Sequence, residues 1–206
     1  MNIIKQHIKD KQFKKVYLIY GSEAYLKRLY KNKLKSAILS TDDTMNYTYS
    51  EGKEVDANEI KHIADTMPFF ADQRLIIIEN CGWFKASTDF ADYVKEIPDT
   101  TCIVFVEAEV DKRNRLYKAV KEVGYVSEMN GMEEKNLKLW IVSLLNKENK
   151  KITDATMSHF LNKVGSNMDN IECELNKLIS YCLDKEIIES TDIDAVCTER
   201  VNIYIL

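Results

Sequence analysis

Glycine and proline are scarce, six and two residues in a chain of 206. So little of either excludes a collagen-like repeat and a Gly/Pro-rich linker, and no low-complexity tract or internal repeat interrupts the chain. The three histidines, His7, His62 and His159, stand far apart and suggest no metal site. The five cysteines, Cys81, Cys102, Cys173, Cys182 and Cys197, form no CxxC pair, so zinc-ribbon and thioredoxin-type motifs are absent. An odd number of cysteines without metal spacing is the pattern of free thiols in a reducing compartment. No apolar run approaches the ~20 residues of a membrane span, and the opening MNIIKQHIKDKQFKK lacks a signal-peptide core. A cytoplasmic chain with no membrane partner is therefore expected. The net charge of −4 argues against a dominant nucleic-acid footprint while leaving room for a local basic face.

What is present is an ordinary globular composition, 45% hydrophobic and 30% charged, long enough for one large domain or two small ones. Val16–Tyr20 and Thr101–Val106 are near-continuous apolar runs, as expected for strands covered on both faces. Further strands are predicted at 45–49 and 75–78 and from Gly124. Helices are predicted at 3–12, 23–39 (with Ser22 as cap), from Asp56, across 84–97 and from Asp111. Trp83 reads as a packing residue in the turn before the fourth of these helices. Five strands alternating with helices predict an α/β domain over 1–131, a five-stranded parallel sheet wound on both faces.

From Met132 the strand signal disappears. Leu137, Trp140, Ile141, Leu144 and Leu145 make one helical stripe. Met157, Phe160, Leu161 and Val164 make a second, opened by Thr153 and Asp154 and stopped by Gly165. Residues 169–183 make a third, and Thr191-Asp192-Ile193 begins a fourth. A small all-helical domain over 132–206 is expected, and the apolar end Asn202–Leu206, without a cap or polar tail, reads as a truncation.

A strand, a glycine turn and a helix N-terminus is where a nucleotide phosphate would sit, and YGSEAYLKR occupies the place of a P-loop. That pattern needs G-x-x-x-x-G-K-[ST]: glycines to close backbone amides on the phosphates, a lysine for the outer ones, a hydroxyl for magnesium. Here one glycine remains, Glu23 faces any incoming phosphate, and Lys27 has neither a preceding glycine nor a following hydroxyl. Glu79 and Glu107 end apolar strands as a Walker B acid would, but the adjacent acid pair is missing, and both read as solvated strand ends. An active P-loop ATPase, the first rival reading, therefore lacks its chemistry.

The stretch DTMPFFADQRLIIIEN, Asp65–Asn80, organises the chain. An apolar helical face of Ile60, Ile63, Ala64 and Met67 runs up to Pro68, which ends the helix. Phe69 and Phe70 follow in a turn, and Ala71–Arg74 leads into Leu75–Ile78. Two consecutive rings seldom both reach a core, so at least one is expected to face solvent as a wedge for a partner. On pattern alone, the competing reading has both rings capping the sheet. Lys112, Arg113 and Arg115 carry a second rival, a nucleic-acid-binding scaffold: residues 112 and 115 share a face if both are helical. Against it stands the reading of a solvated helix start.

Several stretches in order, VYLIYGSEAYL, TMPFFADQRLIIIEN, DKRNRLYKAV and NMDNIECELNKLISY, resemble the delta-subunit family of the bacterial DNA polymerase III clamp loader. The resemblance implies an AAA+ module that has lost its ATPase, followed by a helical lid, with the family's C-terminal collar domain missing. It implies no catalytic, cofactor-binding or metal-ligating residue. The enzymatic label of the DNA-directed DNA polymerase, a nucleotidyltransferase, belongs to another subunit. It implies as partners the sliding clamp (beta subunit), other loader subunits through the collar, and primed DNA within the complex. Met67, Phe69 and Phe70 occupy the clamp-contacting positions, and Asp65 stands where some members carry glutamine.

Overall fold

The computed structural model describes residues 2–40 and 42–198. It divides into two compact units, Met1–Gly131 and Met132–Leu206. The apolar end Asn202–Leu206 lies outside the described residues.

The first unit runs α1 (Asn2–Asp10), β1 (Val16–Tyr20), α2 (Ala24–Ile38), β2 (Tyr47–Glu51), α3 (Ala57–Asp65), β3 (Arg74–Glu79), α4 (Phe90–Tyr93), β4 (Thr101–Glu107), α5 (Arg115–Val123) and β5 (Tyr125–Glu128). All five strands are parallel, in the order β2-β3-β4-β1-β5. The central register sets Val16 beside Ile103 and Ile103 beside Ile76. β1 and β4 are buried at every position, because helices cover both faces and leave no side for polar residues.

Side chains alternate along each strand, so each face collects every second residue. Val16, Leu18, Ile76, Ile78, Ile103 and Phe105 face α3, α4 and α5 in one apolar cluster. There Phe105 meets the rings of Trp83, Phe84 and Phe90 at centroid distances of 6.1, 5.1 and 5.9 Å. Trp83 is thus the packing residue its turn suggested. On α2, Tyr25, Leu26, Tyr30 and Leu34 are buried.

Three expectations are corrected here. The helix read over 84–97 contracts to the single turn of α4, with turns on either side; Phe84, Phe90 and Val94 are all buried, but from an irregular segment. The cap of α2 is Glu23, whose side chain accepts the Tyr25 N–H, and not Ser22. Met67 does not belong to the inward face of α3, because that helix ends at Asp65 and Thr66 is already extended.

The second unit holds α6 (Glu134–Lys147), β6 (Lys151–Ile152), α7 (Asp154–Val164), α8 (Met168–Tyr181), β7 (Ile187–Ile188) and α9 (Ser190–Val196). Thr153 caps α7, and Gly165, at φ +84°, ends it as the sequence predicts. Among the described residues the unit is helical apart from β6 and β7, which pair in a two-residue parallel ladder. Two-residue strands carry too little period to be read from sequence. Lys150 holds the neighbouring loop, donating to the carbonyls of Cys182, Leu183 and Lys185 at 2.6, 3.1 and 2.6 Å. Those three hydrogen bonds to carbonyls are how an ammonium group comes to be buried.

Phe105 lies at the centre of the ring cluster. Phe105→Ala is expected to lower stability by about 3–5 kcal/mol, read from the shift of the urea midpoint; a loss below about 1 kcal/mol would mean the cluster does not carry this core.

Candidate functional site

The connection from α3 to β3 places the stretch singled out in the sequence. After Thr66 the chain has no regular structure until Arg74. Met67, Phe69 and Phe70 are 76%, 57% and 95% exposed. The two rings meet edge to face, centroids 4.5 Å apart at 80°, a favourable aromatic geometry. Phe70 sits at φ +48°, in the left-handed region that non-glycine residues seldom occupy. The rings therefore do not close the sheet: two neighbouring phenylalanines and a methionine stand in solvent.

The loop is held from below. Arg74 reaches back to the carbonyls of Thr66 and Met67, both at 3.4 Å. Asn46, just before β2, bonds the backbone of Phe69 on both its N–H and its carbonyl. Beside it Met45 is 65% exposed. Neither residue was singled out from sequence. Asp65 is exposed, and its carboxylate accepts the Tyr93 hydroxyl at 2.5 Å.

The turn from β1 into α2 is at the opposite end of the parallel sheet, and its amides are occupied. The Gly21 N–H donates to the Glu107 carbonyl at 3.3 Å, and the Glu23 N–H to the Met129 carbonyl at 2.9 Å. The Ser22 N–H donates to Asn130 Oδ1 at 3.3 Å. Gly21 has φ +130°, and a Cβ there would lie 2.2 Å from the Met129 carbonyl oxygen. The chain leaving β5 thus fills the space where backbone amides would otherwise close on a phosphate. Lys27 turns to the Glu107 carbonyl at 3.2 Å, and burial lowers its pKa. A mixed-charge cleft of about 390 Å³ remains beside the turn, lined by Lys27 and Lys112 and by Glu109 and Glu128.

The two strand-end acids are not solvated as expected. Glu107 is 5% exposed; one carboxylate oxygen accepts the N–H of Cys81 at 3.0 Å, the Cys81 thiol at 3.1 Å and the N–H of Gly82 at 3.4 Å. It closes the turn after β3, a tertiary role that an apolar run ending in Glu does not reveal. Glu79 is half-buried and pairs with Lys31 at 2.5 Å.

The basic trio also differs from expectation. α5 begins at Arg115 with Asn114 as cap, so Lys112 lies in the preceding turn and shares no helix face with Arg115. Each cation has an acid within the chain: Lys112 with Glu128 at 2.9 Å, Arg113 with Asp111 at 3.0 Å, and Arg115 with Asp92. Among the described residues no helix is long and apolar enough to cross a membrane.

A family model described as DNA polymerase III, delta subunit, matches residues 17–130. The chain is similar to DNA polymerase III subunit delta of Bacillus subtilis (strain 168), 23% identical over 191 residues, covering 86% of this chain and 55% of the relative. It is similar to the probable DNA polymerase III subunit delta of Aquifex aeolicus (strain VF5), 20% identical over 206 residues, covering 92% and 57%. The chain thus spans little more than half the length of these curated relatives. Among solved structures it resembles the Bacillus subtilis DNA clamp loader delta protein, with a TM-score of 0.75 at 21% identity over 97% of this chain and 62% of that one. It also resembles the Thermotoga maritima RuvB Holliday junction branch migration motor, with a TM-score of 0.52 at 11% identity over 93% and 64%. These structural likenesses show the fold, an AAA+-like α/β sheet unit with a helical unit after it.

The buried Glu107 gives a pH-dependent expectation. Burial raises its pKa, opposed by the hydrogen bonds from Cys81 and Gly82. The folded chain therefore keeps this proton at pH values where the unfolded chain has released it, and the site loses stability as pH rises through that window. Glu107→Gln keeps an acceptor and removes the charge. Its stability relative to the parent should increase as pH rises above the ordinary glutamate range; a flat difference in paired denaturation curves would show that Glu107 is ionised at no cost.

Proposed function

Because the chain belongs to the DNA polymerase III delta-subunit family, we propose that it grips a sliding clamp through Met67, Phe69 and Phe70 and helps open the ring for loading on primed DNA. One observation carries this reading: three adjacent apolar side chains stand exposed on a loop anchored at its base. Exposed apolar groups next to one another mark a contact surface more often than isolated ones do. Fully burying one such side chain contributes roughly 1.5–3 kcal/mol, so three contribute roughly 4.5–9 kcal/mol before the costs of association. A micromolar complex needs about 8 kcal/mol. The apolar wedge supplies much of a modest affinity, and nearby polar groups such as Gln73 and Asp65 supply the remainder.

The subunit works without its own ATPase, and other loader subunits hydrolyse ATP. The occupied amides of Gly21, Ser22 and Glu23 support this over the P-loop ATPase reading. The internal pairing of Lys112, Arg113 and Arg115 supports clamp binding over a stand-alone nucleic-acid scaffold. DNA and the other loader subunits are met within the loaded complex. The site of action is the cytoplasm.

Phe69→Ala combined with Phe70→Ala should abolish binding of purified bacterial sliding clamp and leave the melting temperature nearly unchanged, since the rings add little to the core. A double variant that is destabilised yet still binds the clamp would refute the wedge. The chain alone should show no magnesium-dependent ATP turnover. Activity that survives repurification and disappears on substitution of Lys27 would overturn the non-catalytic assignment.

A further inference from the structure

We infer that Asn46 is a positioning residue for this apolar loop: its carboxamide fixes the Phe69–Phe70 turn in its presenting shape before a clamp arrives. The inference rests on the clamp reading above. Asn46 is a polar residue that is only 1% exposed, and its hydrogen bonds join the loop, the start of β3 and Asp43. Its Oδ1 accepts the Phe69 N–H at 2.6 Å, and its Nδ2 donates to the Phe69 carbonyl at 2.9 Å. This two-point exchange is what a paired strand offers one residue of its neighbour, here supplied by a side chain. The second Nδ2 hydrogen goes to Asp43 Oδ2 at 2.8 Å, and the Asn46 N–H to Asp43 Oδ1 at 3.0 Å. Its own carbonyl accepts the Leu75 N–H at 2.8 Å, which ties the same residue to the start of β3.

The chemistry is specific. Pairing with both backbone groups of one residue needs a donor and an acceptor side by side on one planar group, as the uncharged carboxamides of Asn and Gln carry them. The loop needs such a hold. Phe70 stands in the left-handed region, a conformation that a phenylalanine does not favour by itself, and its ring is too exposed for the core to fix it. Released from Asn46, the chain would spread over conformations that do not present both rings. Apparent affinity then falls by the fraction of time spent in the competent shape.

The test compares four proteins against purified bacterial sliding clamp: the parent, Asn46→Ala, Asp43→Ala and the Phe69/Phe70 double alanine variant. Asn46→Ala should weaken binding about tenfold, the result of a competent fraction near one-tenth. Hydrogen exchange should quicken at the Phe69 amide while Ile76 and Ile103 in the sheet keep their protection. A merely structural role would lower protection across the sheet as well. Asp43→Ala removes the second anchor of the same amide at a half-exposed site, and should weaken binding about threefold; it decides the matter if Asn46→Ala does not fold. If the double alanine variant loses binding while Asn46→Ala and Asp43→Ala bind like the parent, the positioning role is overturned and the wedge stands. If the double alanine variant binds like the parent, the wedge falls and the positioning role falls with it.

Discussion

A parallel sheet covered on both faces can leave backbone polar groups unpaired only at its edges and strand ends, and everything distinctive about the first unit follows from how those ends are closed. At the carboxyl ends of β1 and β4 the closure is internal. The carbonyls of Glu107 and Met129 and the side chain of Asn130 take the amides of Gly21, Glu23 and Ser22, and the Glu107 carboxylate takes those of Cys81 and Gly82. Buried amides must be paired, and here they are paired by the protein itself. At an end of the sheet that would suit a phosphate, the turn amides are taken up within the chain.

The opposite end is treated differently. The α3–β3 connection approaches β3 at its amino end, and its closure uses one carboxamide and one guanidinium. These satisfy the backbone and leave the side chains outward. The sheet is thus closed at one end and presents apolar groups at the other.

The central strands were legible in the sequence because a doubly covered strand has to be apolar throughout; β1 matches its predicted bounds residue for residue, whereas the half-exposed β2, expected at 45–49, lies at Tyr47–Glu51. Helix ends were less so. Met67 sits at helical spacing from Ile60 and Ile63, but the chain is already extended at Thr66, and Met67 itself stands before Pro68, where helix is disfavoured, so the period continued past the structure that generates it. Residues 84–97 misled for a related reason: Phe84, Phe90 and Val94 are buried, and burial imitates helical spacing over a short window. At the site, adjacency suggested that at least one of Phe69 and Phe70 faces solvent, but the pattern alone also fitted two rings capping the sheet, and the family resemblance favoured the exposed reading. Asn46 lies 23 positions earlier, and nothing local distinguishes a carboxamide that pairs with a distant backbone from one that faces water. Glu107 and the Lys112–Glu128 pair escaped for the same reason, since tertiary partners leave no periodic mark.

The backbone at Phe70 restricts chemistry at that position beyond the need for an apolar group. At φ +48° a β-branched side chain would crowd its own backbone. Valine and isoleucine, though comparably hydrophobic, are poor replacements there, and glycine would suit the turn but carry no side chain. Interchangeability at this tip is therefore governed by shape at Cβ before hydrophobicity: an unbranched Cβ bearing a large side chain, as in phenylalanine, leucine or methionine, meets both demands.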